Sequence, residues 1–240
     1  MMLRFHIRRL AIMSAVALWV LAVANAQLGP NLVTNGSFET PPGSNQWGSN
    51  PSTWFANQTF DGWTVTQGSI DLMTAGVRPF GEFAAYEGSQ FANLKGDPEA
   101  GGIRQDITIE IAGTHRLQFV MSANTEYVPP TFVEATPSIM RVELSRSGTP
   151  VFTKTYTWDL KDHYTRHELY NSPAWVFHEE DILIEETGVY TLSFTSLTTT
   201  NNNAGPMIDD VRLELVPEPA SLLALGAGLT GLLRLRRRTR

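Results

Sequence analysis

Apolar and polar residues alternate along the second half of the chain. Ile107, Ile109 and Ile111 share one parity, as do Leu117, Phe119 and Met121, Met140, Val142 and Leu144, Tyr190, Leu192 and Phe194, and Val211, Leu213 and Leu215. Polar residues such as Gln118, Arg141, Glu143, Thr191, Ser193, Arg212 and Glu214 lie between them. A period of two, repeated this often, predicts half-buried antiparallel strands. Turn-forming residues separate the runs at Ala112-Gly113-Thr114, Ser147-Gly148-Thr149-Pro150, Glu186-Thr187-Gly188 and Asn201 to Pro206. No amphipathic pattern of three helical turns appears. The expected class is therefore all-β, with two packed sheets and no crossover helices. Two stretches break the alternation, Thr40 to Gly62 and Lys161 to Ala174, and both read as long loops.

The two ends have a different pattern. Arg4, Arg8 and Arg9 precede a 14-residue apolar run, Leu10 to Val23, and Ala24-Asn25-Ala26 follows it. This is the layout of a secretory signal peptide over residues 1–26, with cleavage between Ala26 and Gln27. At the other end Pro217-Glu218-Pro219 interrupts any regular element. Ala220 to Leu233 is then mostly apolar, and Arg234, Arg236, Arg237, Arg238 and Arg240 close the sequence. Fourteen helical residues cover about 21 Å, short of a ~30 Å hydrocarbon core, so the segment suits a weak, transient hold on the inner membrane. The arginines would stay on the cytoplasmic side. In order and position, residues 217–240 resemble the PEP-CTERM sorting signal of Gram-negative bacteria. That resemblance implies an exosortase as partner, a cut near Pro217 to Pro219, and delivery to the cell surface or extracellular matrix.

Between these ends, residues 27–216 make one large domain by length. The whole chain of 240 residues has a formal charge of -6, but both ends are basic, and residues 27–216 alone carry -13. Such a balance disfavours nucleic acid, whose phosphates are bound through Lys and Arg. There is no cysteine, which excludes thiol nucleophiles, thiolate metal sites and redox pairs.

The middle also carries an ordered set of blocks: "NLVTNGSFE" (31–39), "GWTVTQGSIDLM" (62–73), "GSQFANLKGDPEAGGIRQDI" (88–107), "AGTHRLQFVMSAN" (112–124), "GVYTLSFTSL" (188–197) and "GPMIDDVRLELV" (205–216). Together they resemble the choice-of-anchor C family of bacterial exported domains, related to a plant cell-wall family of unknown function. The resemblance implies a galactose-binding-like jelly-roll β-sandwich, a scaffold shared by many carbohydrate-binding modules. It also implies a structural Ca²⁺ at Glu39 and Asp210, with Asp209 beside them. By residue type, "NGSFE" should turn Phe38 into the core and leave Glu39 at a strand edge, and "MIDDVRL" should bring Asp209 and Asp210 to the start of the last strand. Residues 127–137 and 151–175 depart from the short connections of the family.

Sugars are bound by flat apolar faces beside amides, carboxylates or guanidinium groups. Trp47, Trp54 and Trp175 lie in or next to polar stretches that hold Asn45, Gln46, Asn57 and Asn171. They are the candidate contacts to an extracellular polysaccharide, whereas Trp63 and Trp158 read as core or strand residues. His163 and His167 have a spacing that a short helix could offer to zinc, but "HYTRH" lacks the glutamate of HExxH. Glu179, Glu180 and Asp181 read as a solvated strand edge. No GxSxG elbow or phosphate-binding glycine loop is present. The expectation is a surface or matrix protein that binds carbohydrate without catalysis. A structural matrix component and a hydrolase on the same sandwich are the alternatives.

Overall fold

The computed structural model describes residues 27–43, 53–74, 84–95, 100–123, 137–163, 174–198 and 205–217. Residues 1–26, expected as a signal peptide, lie outside them, as do Trp47, His167 and residues 218–240. Residues 31–214 form one compact unit. In a second unit, residues 27–30 and 215–217, the Gly29 N–H donates to the Leu215 carbonyl at 2.9 Å.

Twelve strands are described: β1 (Thr53–Phe55), β2 (Thr59–Phe60), β3 (Trp63–Gln67), β4 (Ser69–Thr74), β5 (Gln90–Asn93), β6 (Gly102–Ile109), β7 (Gly113–Ala123), β8 (Ser138–Arg146), β9 (Thr149–Trp158), β10 (Val176–Ile184), β11 (Gly188–Ser196) and β12 (Pro206–Leu215). A single helical turn, α1 (Leu160–His163), follows β9. The strands form two six-stranded sheets, β1-β4-β5-β12-β7-β10 and β2-β3-β6-β11-β8-β9. The first is called the front sheet and the second the back sheet. The ladders are antiparallel, as in β10 on β7 and β11 on both β6 and β8. The fold is a jelly-roll sandwich.

Alternation places the core between the sheets. Ile103, Ile107 and Ile109 of β6, Leu117, Phe119 and Met121 of β7, and Leu192 and Phe194 of β11 are buried in one apolar cluster. Its centre is aromatic. Trp63 stands 5.5 Å from Phe38 and 6.1 Å from Phe194, ring centre to ring centre, and Phe119 stands 5.4 Å from Phe194. The Trp63 indole N–H donates to the Asn35 carbonyl at 3.0 Å, which removes the cost of burying it.

Four local readings change. Ile111 keeps the parity of β6 but falls in the turn after it and is exposed. Residues 40–62 are not one loop, because β1 docks on β4 with Thr53 opposite Asp71, and β2 pairs with β3. Phe38 reaches the core from a turn rather than a strand, with φ +57°. The close approach of this turn to β12 requires Gly36, where a Cβ would lie 2.0 Å from the Val211 carbonyl oxygen. Asp209 and Asp210 sit inside β12, past its start. β4 and β5 escape the alternation test because both of their faces are covered. Ile70, Leu72 and Ala92 face the main core, while Met73 and Phe91 join Met207, Ala85 and Trp175 in a second apolar cluster on the other side of the front sheet.

Candidate functional site

The β7–β10 ladder forms one edge of the front sheet, and the period of two divides its side chains between two faces. Toward the sandwich, Ile182 and Ile184 are buried. His178 packs 5.1 Å from Phe119 and 4.7 Å from Tyr156. Burial pushes the His178 imidazole below its ordinary value, and Lys154 adds to this while Glu180 opposes it. The Tyr156 hydroxyl donates to Glu180 Oε1 at 3.1 Å, Lys154 pairs with the same carboxylate, and burial raises the Tyr156 phenol.

The outer face carries Phe177, Glu179, Asp181 and Leu183 of β10 opposite Val120, Gln118, Arg116 and Thr114 of β7. Phe177 is 52% exposed, a large aromatic ring on a flat sheet surface. Beside it the polar groups are held by one another. Arg116 donates to both oxygens of Asp181, at 2.8 and 3.0 Å, and lies 3.5 Å from Glu179. Gln118 donates to Glu179 Oε2 at 2.7 Å. Hydrogen bonding to Arg116 holds the Asp181 carboxyl below its usual range and raises the guanidinium in turn. Trp175, two residues before Phe177, donates its indole N–H to the Ala84 carbonyl at 3.0 Å and meets Phe91 edge-on at 5.7 Å. Positions two apart in a strand are separated by about 6.7 Å. The strip therefore offers an aromatic face and a fixed row of hydrogen-bonding groups, with the Trp175 ring packed farther along the outer face against Phe91.

A second cluster gathers where residues 84–90 cross β12. Asp209, fully buried, accepts the N–H groups of Tyr86 and Glu87 on Oδ2 at 2.8 and 3.0 Å, and that of Asp210 on Oδ1 at 2.8 Å. Burial pushes its carboxyl up to about 7, against the pull of these three hydrogen bonds. Glu39 Oε1 accepts from the N–H groups of Ser89 and Gln90, each at 2.8 Å, and Oε2 from the Ser89 hydroxyl at 2.7 Å. Arg212 donates to Asp210 at 2.6 Å and lies 3.6 Å from Glu87. A hydrogen bond to Asp210, with burial, raises the Glu87 carboxyl.

A family model described as "Protein of unknown function (DUF642)" matches residues 31–214, and a model of the PEP-CTERM protein-sorting motif matches residues 215–238. The chain belongs to the DUF642 family. No curated protein matches it. Among solved structures, the chain resembles TmCBM61 in complex with beta-1,4-galactotriose at 18% identity and TM-score 0.45, covering 77% of this chain and 98% of that one. It resembles the CBM22-1 xylan-binding domain of Paenibacillus barcinonensis Xyn10C at 15% identity and TM-score 0.42, covering 81% and 99%. The enzymatically active domain of bacteriophage CBA120 tailspike protein 4 is similar at 15% identity and TM-score 0.40, over 78% of this chain and 21% of that one.

The DUF642 domain does not assemble the expected tryptophans into one surface. Trp54 belongs to β1, at the far edge of the front sheet from β10. It is half-buried against the main core, 5.3 Å from Phe60, with its indole N–H buried and unpaired. Trp54 thus packs inward rather than presenting a face to solvent. Trp175 does lie on the outer side of the front sheet, and Trp47 is outside the described residues. Trp63 and Trp158 are buried, as expected. His163 stacks on Trp158 at 4.9 Å.

The fold brings Glu39, Asp209 and Asp210 to one neighbourhood, as the family resemblance implied. Their arrangement does not fit calcium, which takes 6 to 8 oxygen ligands around one point. Both oxygens of Glu39 and of Asp209 already accept hydrogen bonds from the protein, and Asp210 receives a guanidinium. Among the described residues, no group of three or more His, Cys, Asp or Glu is placed to hold a metal ion. Nor is any helix among them long and apolar enough to cross a membrane.

Nothing in the sequence pattern singles out Phe177 or Arg116, and Gln118 enters it only as a polar position between apolar ones. The odd positions Trp175, Phe177, Glu179 and Asp181 do share a parity that could have drawn attention to them. Their partners on β7 come from the pairing of distant strands.

Proposed function

We propose that this DUF642 domain, exported by the exosortase route that its PEP-CTERM motif specifies, binds extracellular polysaccharide on the outer face of β10 and β7 without transforming it. The observation that carries this reading is the exposed Phe177 ring beside a prearranged row of Gln118, Glu179, Arg116 and Asp181. An aromatic face takes the C–H side of a pyranose, and polar groups already held in place lose little freedom when they meet its hydroxyls. Within this row Asp181 is unsuited to the general-acid role of glycoside hydrolysis, which needs a protonated carboxyl, because Arg116 keeps it ionised.

Affinity electrophoresis of the full-length protein through gels cast with neutral and acidic polysaccharides tests the reading. Retardation that Phe177→Ala weakens about fivefold is expected. No retardation in any gel would leave the structural-matrix alternative, and product release from the same polymers would restore the hydrolase.

A further inference from the structure

The acidic cluster on β12 takes no part in export or in the proposed strip, yet it is fully organised. Four backbone N–H groups of one short segment, those of Tyr86, Glu87, Ser89 and Gln90, end on just two carboxylates, Asp209 and Glu39. The segment can bend between them only through Gly88. Its φ is +64°, and a Cβ there would lie 2.5 Å from Glu39 Oε1. Gln90 completes the hold, its side chain donating to the Phe38 carbonyl at 2.7 Å. Positive charge comes from Arg212, between Asp210 and Glu87 and also near Glu214.

These contacts are directional. A divalent cation needs several oxygen lone pairs aimed at one point, and here three of the roughly four lone-pair directions of Glu39, and of Asp209, are taken by N–H and O–H hydrogens. An incoming ion would have to break those bonds and displace a guanidinium. The segment in turn controls an aromatic ring: Ala84 accepts the Trp175 indole N–H, and Ala85 packs in the cluster of Phe91 and Trp175.

We propose that Glu39, Asp209 and Arg212 form a cation-free clasp that fixes residues 84–90 on the front sheet and, through them, positions the Trp175 ring against Phe91 on the outer face of that sheet. The positioning half rests on the glycan reading for its purpose; the clasp itself does not.

The test uses the full-length protein, stripped with EDTA and then titrated with CaCl₂ while its melting temperature is followed. No shift is expected up to about 5 mM, well above the dissociation constants of extracellular calcium modules. A rise of several degrees would overturn the clasp, because a ligand of the native state must raise the midpoint. Arg212→Gln leaves Glu87 and Asp210 without their cation. It is expected to lower the midpoint and to introduce a calcium response that the unsubstituted protein lacks; a lowered midpoint with no response would overturn the charge role of Arg212. Should that variant not fold, Glu87→Gln serves instead. It relieves the carboxyl pair, so an equal or higher midpoint is expected and a lower one overturns the same role. For positioning, Gly88→Ala is expected to red-shift the tryptophan emission, and the shift should vanish in a Trp175→Phe background. Unchanged emission would overturn the positioning role. If the protein binds no polysaccharide at all, the functional reading falls, and the calcium and emission results still judge the clasp.

Discussion

Arg116 and Asp181 face each other across the β7–β10 ladder, joined by two hydrogen bonds of 2.8 and 3.0 Å. The pair lies two residues along β10 from Glu179, which Arg116 also approaches. One guanidinium thus sets the positions of two carboxylates on an otherwise open surface. Exposed ion pairs stabilise a fold by about 0–1 kcal/mol, so Arg116→Met should move the melting temperature little. It should weaken polysaccharide retention several-fold, because the freed carboxylates lose their fixed geometry. Comparing thermal melts with affinity electrophoresis of the same variant separates the two effects.

Phe177→Ala removes the exposed ring itself. A surface substitution of this kind changes stability by about 0.5 kcal/mol or less. Loss of an aromatic stacking face worth roughly 1 kcal/mol corresponds to about fivefold weaker binding. Retention equal to that of the unsubstituted protein would move the binding face elsewhere on the sandwich.

Asp209→Ala strands three backbone N–H groups. Tyr86 and Glu87 are exposed and their N–H groups only part-buried, so water replaces some of the lost bonding, and a loss of about 1–3 kcal/mol is expected, read from urea unfolding. A loss below 1 kcal/mol would mean that residues 84–90 are held by other contacts.

His178 makes stability depend on pH. Its folded imidazole is held below 6.5, chiefly by burial against Phe119 and Tyr156, with Lys154 adding to the effect and Glu180 opposing it. As pH falls below about 6.5, the unfolded chain takes up a proton that the folded chain refuses, and the His178 contribution to stability declines with falling pH, while Asp209, raised to about 7 in the fold, acts in the opposite sense. Above about pH 6.5 the His178 contribution is complete. His178→Phe should flatten the part of the pH-stability curve just below about pH 6.5. An unchanged slope would assign the acid sensitivity to other groups.

The PEP-CTERM motif places residues 215–238 in a sorting signal. Mass spectrometry of the protein recovered from outside the producing cell should therefore give a chain that starts at Gln27 and ends near Pro217 to Pro219. Recovery of an intact arginine-rich end would refute cleavage.

Much of the sandwich could be read from alternation because a strand with one dry and one wet face writes its burial into every second residue. This holds for β6, β7, β8, β11 and β12, whose inward residues are almost all buried. It fails for β4 and β5, which are covered on both faces, and for the threonine-rich β9 at the edge of the back sheet. The placement of Trp54 was not legible for a related reason. A tryptophan in a Pro- and Gly-rich stretch has the same local sequence whether it fills the end of a sandwich or stands in solvent.

The residue order by itself determined the C-terminal sorting signal, the all-β class, the acidic domain and the carboxylate motifs at Glu39 and Asp209-Asp210. Each is carried by neighbours in sequence: a run of charge, an apolar stretch, a period of two. Tertiary structure alone decided what those carboxylates hold and which aromatic ring stays exposed. Asp209 meets Tyr86 and Glu87 only because residues 84–90 cross β12, and Phe177 gains its polar border only because β10 lies against β7. Hydrogen-bond partners more than a hundred residues apart leave no periodic trace in either segment, since the pairing is set by where the sheets close.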